Sequence, residues 1–154
     1  MGVITNHKLQ KTILDIFIHS LTTTAIALTI YLKSNNLAFA AIFIVGGIFI
    51  DLDHFIDYFL FFKKFDMKKF LDSAYLYSEK VYLPLHSWEL TLVILFLGYI
   101  LQSKALLMLA FSLSIHLLID TMQREKLLFY FITYRFIKKF NVKTLLPEFS
   151  NTTI

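Results

Sequence analysis

The sequence contains no cysteine, only four glycines and two prolines, and a single tryptophan in 154 residues. Without cysteine, disulfides, thiolate metal sites and thiol chemistry are all excluded. A metal in this chain would have to be held by imidazole and oxygen ligands. Charge is also scarce, at 17% of residues, and no internal repeat or low-complexity segment is present. What fills the chain is apolar: 57% hydrophobic residues, 17 Phe and 8 Tyr, with a mean hydropathy of +0.65. A soluble domain of this length lacks the interior volume to bury so much apolar surface. The expected class is therefore all-α and integral to a membrane, as a single domain over 1–154.

The apolar runs place four spans, at about 13–32, 37–62, 83–101 and 105–122. At 1.5 Å of rise per residue each is close to the length a bilayer requires. The first run is too long for a cleaved leader, lacks a small-residue cleavage site and carries Asp15 and His19. Pro84 falls in the first turn of the third span, where proline is tolerated. Residues 63–82 alternate lysines with Phe65, Phe70, Leu71, Tyr75 and Tyr77, the pattern of a helix lying in the interface. Leu127 to Ile137 is too short to cross, so 125–140 is expected to hold a second interfacial or groove-packed helix, with 141–154 as a loose tail. The expected architecture is a four-helix bundle with one or two interfacial helices.

Thirteen of the 15 Lys and Arg residues fall on one side of these spans, leaving only Lys33 and Lys104 on the other. The positive-inside rule makes the first side cytoplasmic, with both termini there. The chain is then a multi-pass protein of a bacterial-type inner membrane. The net charge of +4 is explained by these flanking residues, and nucleic acid is not an expected partner.

With that topology, the ionisable residues of the spans collect at one depth. His19 lies about 9 Å inside the cytoplasmic boundary at helical rise. Asp51, Asp53, His54 and Asp57 sit in the cytoplasmic half of the second span, His86 and Glu89 open the third, and His116 and Asp120 close the fourth. Holding Asp near a bilayer centre costs about 2.5–3.5 kcal/mol on insertion scales. Such a cluster needs a compensating partner, and a cation is the obvious one. Asp15/His19, Asp53/Asp57 and His116/Asp120 are i,i+4 pairs, and Asp51/His54 and His86/Glu89 are i,i+3 pairs. Each pair shares a helix face, so each helix can present a ligand with a second ligand or an orienting carboxylate. Asp51 and Asp53 cannot point the same way on a regular helix. Either they serve different metals or the helix is distorted there.

Apolar-Asp-x-Asp-His at Ile50–His54, a following His86-Ser87, and a late His116-x-x-x-Asp120 resemble the YdjM-like family of inner-membrane metal-dependent hydrolases. The early His19 fits as well. Ile50 stands where that family usually has Pro, and only Leu85-His86-Ser87-Trp88-Glu89 remains of its His-Arg-Gly-x-Thr-His-Ser block. The resemblance implies metal-dependent hydrolysis. Taken with the residues, the expected function is cleavage of an ester or phosphoester in a lipid or lipid-linked substrate at the cytoplasmic leaflet. His19, Asp51, Asp53, His54, His86, His116 and Asp120 are the expected ligands of one or two divalent metals, zinc first, with manganese or iron as alternatives. Glu89 or Asp57 is the expected proton acceptor. Transport or sensing of a metal ion or proton competes with this reading, as does a non-catalytic interaction protein. The spans' non-cytoplasmic halves hold little polarity beyond Thr, Ser and Tyr99, which disfavours a pathway.

Overall fold

A computed structural model describes residues 4–71, 79–124 and 127–147, and they are helical with no strand among them. The helices are α1 (Ile4–Ser34), α2 (Leu37–Phe49), α3 (Leu52–Phe61), α4 (Met67–Leu71), α5 (Trp88–Ile100), α6 (Lys104–Arg124), α7 (Ile132–Ile137) and α8 (Val142–Leu145). A 3-10 turn, Leu127–Tyr130, precedes α7. Among the described residues three stretches are long and apolar enough to cross a membrane: Thr12–Ser34, Leu37–Phe61 and Lys104–Gln123. The expected third span differs, because only Trp88–Ile100 of it is helical and Leu83–Ser87 enters as irregular backbone.

Two tight turns build the far end. Asn35 adopts a left-handed φ of 49°, and Asn36 caps α2 by accepting from the N–H groups of Ala38 and Phe39. Gln102, also left-handed at φ 51°, ends the α5 hairpin, and Ser103 Oγ receives the Leu106 N–H of α6. These turns make α1 antiparallel to α2 and α5 antiparallel to α6. Helix α2 packs between α1 and α6, while α6 packs on α5 and touches α1. As a result, the start of α1, the end of α2, the start of α5 and the end of α6 all lie at the opposite end.

Polarity is turned inward. Leu14, Phe17, Leu21 and Leu28 of α1 and Leu92 and Phe96 of α5 are exposed, whereas His19, Thr23, His86, Ser112, His116 and Asp120 are buried. Apolar outer faces with ionisable residues kept inside are what a lipid solvent demands. On α1 and α6 the inward residues follow every fourth position, His19–Thr23–Ala27 and Asp120–His116–Ser112. Moving away from the ionisable end, the interior changes from His and Asp to Thr23, Gly47 and Ser112, then to Ala27, Ala40 and Phe43.

The second span is not one regular helix. From Ile50 to His54 the backbone bonds shift to three-residue spacing, with Asp51, Asp53 and His54 donating to Ile48, Ile50 and Asp51. Of the two alternatives that the Asp51/Asp53 spacing left open, a distorted helix is thus present.

Beyond the spans the expectations need revising. Residues 72–78 of the expected interfacial segment 63–82, with Tyr75 and Tyr77, lie outside the described residues, as do 125–126 and 148–154. Phe70 stacks on Phe55 at 4.2 Å, so this aromatic packs on α3. Segment 141–147 is no loose tail: Val142, Leu145 and Leu146 are buried with Ile50, Tyr58, Leu117 and Phe129 in one apolar cluster. The i, i+3 spacing puts Val142 and Leu145 on one side of α8, and Leu146 follows at its end. Leu146, 1% exposed, is accordingly expected to lose about 2–5 kcal/mol of stability on replacement by Ala. Denaturation in detergent checks this, and an unchanged midpoint contradicts the buried placement.

Candidate metal centre

The centre begins with the tautomers of two buried histidines. His116 Nδ1 lies 2.9 Å from the carbonyl oxygen of Gly47. A carbonyl only accepts, so Nδ1 carries the hydrogen and the lone pair of a neutral ring is on Nε2. His86 Nδ1 lies 2.8 Å from Asp53 Oδ1. Asp53 is itself acceptor-only here, since its Oδ2 takes the N–H groups of Leu85 and His86 at 2.8 and 3.1 Å. Both rings therefore turn Nε2 into the same space. Fixing one ring nitrogen by a carbonyl or carboxylate is the usual arrangement behind a metal-binding imidazole.

That space is bounded by two carboxylates. Asp51 Oδ1 lies 3.3 Å from His86 Nε2, 3.5 Å from His116 Nε2 and 3.6 Å from His54 Nε2. Asp120 Oδ2 lies 3.7 Å from His86 Nε2 and 3.8 Å from His116 Nε2, while its Oδ1 lies 3.1 Å from His19 Nε2. Charge-assisted hydrogen bonds between nitrogen and oxygen run shorter, at about 2.7–2.9 Å. Ligands placed about 2.0–2.1 Å from a tetrahedral ion are about 3.3 Å from one another. Most of the observed separations suit donors arranged around an ion better than donors bonded to each other.

Among the described residues three overlapping groups have possible ligand atoms within 4.8 Å of one another: His19, His116 and Asp120; Asp51, His86 and His116; and Asp53, His54 and His86. All seven expected ligands fall in them. The first two converge on the Nε2 atoms, and the buried His19 ring turns its Nε2 to Asp120 and Asp15 at 3.1 and 3.5 Å while its Nδ1 has no hydrogen-bond partner. Asp53 is different in kind: its hydrogen bonds go to the His86 ring and to the N–H groups of Leu85 and His86, so it orients that ring. Access is one-sided. The side chains of His116 and His86 are 1% and 2% exposed, whereas Asp51 is 42% exposed at the break between α2 and α3.

Neither expected proton acceptor belongs to these groups. Asp57 Oδ2 accepts from the N–H groups of Tyr82 and Leu83 at 2.7 and 3.3 Å. Glu89 accepts from the N–H groups of Ile132 and Thr133 and the hydroxyls of Thr133 and Ser87, at 2.7–3.0 Å. It thereby caps α7 and ties it to the start of α5. These carboxylates are occupied by backbone that no helix satisfies. Asp15 reaches His19 Nε2 only at 3.5 Å.

Two contributors carry no side-chain signal of their own in the sequence. Gly47 supplies the carbonyl for His116, and Arg135, which looks like one of the flanking topology charges, is wholly buried. The Gly46-Gly47 pair within an apolar helix was the available sign of a close approach. The chain matches no protein-family model, no curated protein and no solved structure.

A methyl on Gly47 would sit 2.6 Å from Thr23 Oγ1, 2.7 Å from Thr23 Cγ2 and 3.2 Å from Ser112 Oγ. Both branches of a stiff β-branched residue are in the way, so rotating Thr23 does not clear the space. Gly47→Ala is expected to displace the carbonyl from His116 and weaken divalent metal binding about 10–100-fold. Competition against a chromophoric chelator measures this, and wild-type affinity would contradict it.

Proposed function

We propose that this chain is a four-span membrane bundle that hydrolyses an ester or phosphoester of a lipid or lipid-linked substrate, using one or two divalent cations, zinc first. The observation that supports this most is the convergence of the His19, His86 and His116 Nε2 atoms on Asp120, with Asp51 closing the same space around His86 and His116. In this reading Leu83–Ser87 and α5 together make the fourth crossing, since 13 helical residues span only about 20 Å. The ionisable end is the one flanked by most of the Lys and Arg, which favours the cytoplasmic leaflet of an inner membrane, with both termini cytoplasmic. Membership of the YdjM-like family is part of the same proposal, resting on Ile50–His54, His86-Ser87 and His116–Asp120.

His19, His86, His116, Asp51 and Asp120 hold the cation, while Asp53 and the Gly47 carbonyl hold the rings in their tautomers. A divalent cation supplies Lewis acidity, lowering the pKa of water and polarising a phosphoryl or acyl oxygen. His54, in reach of Asp51 on the more open side, is the residue placed to receive a released proton at Nε2. The buried far side keeps bulk water from the reaction, and the exposed Asp51 edge admits the scissile group at the headgroup level. Passage of an ion across the membrane is the weaker reading. Past Thr23 and Ser112 the interior is closed by Ala27, Ala40 and Phe43.

Metal analysis of detergent-purified protein, with a panel of lipid esters and phosphoesters assayed with and without chelator, tests the proposal. Wild type is expected to carry a stoichiometric divalent metal and a chelator-sensitive hydrolysis. His116→Ala and Asp120→Ala are expected to lose both. Intact metal stoichiometry in the two variants would refute these ligands.

A further inference from the structure

His86 stands on irregular backbone, and irregular backbone inside an apolar bundle has to find hydrogen bonds outside itself. Backbone partners serve Val81, through the Phe140 carbonyl, and the turn bonds His86 to Leu83 and Ser87 to Leu85; the remaining hydrogen bonds of the 82–86 backbone are made by three side chains. Asp57 takes the N–H groups of Tyr82 and Leu83, and Asp53 takes those of Leu85 and His86. Pro84 has none to offer. Arg135 takes the carbonyls: Nη1 donates to Tyr82 and to Leu83 at 2.8 Å, and Nη2 donates to His86 at 2.9 Å. Leu83 is held at a left-handed φ of 43°, a conformation a leucine does not choose unaided.

Arg135 is itself built in. It is 0% exposed, its guanidinium carbon lies 5.8 Å from the Phe129 ring centroid, and its helix α7 is capped by Glu89. Burial pulls the guanidinium below its ordinary pKa, and the charges of Asp53, Glu89 and Asp57 act in the opposite direction. Three carbonyls gathered by one planar fork is a geometry a lysine ammonium cannot reproduce.

We infer that Arg135, with Asp57 and Glu89, is a positioning residue of the metal centre: it fixes the 82–86 backbone and so the place of His86 Nε2. The segment after α6 is then a working part of the site. This inference rests on the metal-binding reading above.

Cobalt(II) titration of the full chain in detergent separates the two. Visible absorption reports the ligand set, and His86→Ala provides the spectrum of a centre lacking that one ligand. Arg135→Lys and Asp57→Ala are expected to keep wild-type helicity and elution volume. They should bind cobalt about 10–100-fold more weakly, with spectra displaced toward that of His86→Ala. Should Arg135→Lys fail to fold, Asp57→Ala carries the same expectation, because it removes the acceptor of the Tyr82 and Leu83 N–H groups and leaves Arg135 in place. Wild-type affinity and spectrum in whichever of these variants folds would overturn the positioning role. A wild-type protein with no cobalt spectrum would instead defeat the metal centre itself.

Discussion

An imidazole inside an apolar bundle has two nitrogens to satisfy, and the way this protein satisfies one decides what the other can do. The Gly47 carbonyl and the Asp53 carboxylate take the Nδ1 hydrogens of His116 and His86, leaving two Nε2 atoms directed at Asp51 and Asp120. Without an ion between them, these groups would be costly to bury together. Most of the other polar features described near that end serve to keep those two rings where they are. The glycines of α2 let Thr23 and Ser112 approach its backbone, and across the tightened turn at Ile50–His54 Asp51 and Asp53 meet the two nitrogens of the His86 ring.

The same constraint explains why the protein is polar inside and apolar outside. Ligands on separate helices reach a common point only if the helices run alternately, and the capped turns at Asn36 and Ser103 set that alternation. His86 is the exception, coming from the Leu83–His86 turn at the mouth of α5. The compensation it needs draws in Asp57, Glu89 and Arg135, which otherwise would have no reason to be grouped at this end.

Much of the arrangement could be read from the residues alone. Asp and His are rare enough in apolar runs that their positions carry information, and the i,i+4 pair His116/Asp120 reports a helix face directly. The depth coincidence among His19, Asp51, His86 and His116 likewise follows from span boundaries. What spacing cannot report is a carboxylate spent on backbone far along the chain. Asp57 bonds Tyr82, 25 positions away, and Glu89 bonds Ile132, 43 positions away, and neither leaves a local pattern. Arg135 was misread for the opposite reason: it follows a short apolar run as a flanking topology charge does, and only the tertiary structure shows it enclosed. The burial of Val142, Leu145 and Leu146 was visible as helical spacing, but in a segment too short for periodicity to outweigh its polar neighbours.

The central claim is that imidazoles and carboxylates from separate helices share a divalent ion. X-ray absorption at the edge of the metal bound to the purified, metal-loaded protein tests it most directly. The account predicts a nitrogen and oxygen shell at about 2.0–2.1 Å with the outer-shell scattering of two or more imidazoles. A shell of oxygen alone with no imidazole signature, or a protein that takes up no divalent metal, would contradict it.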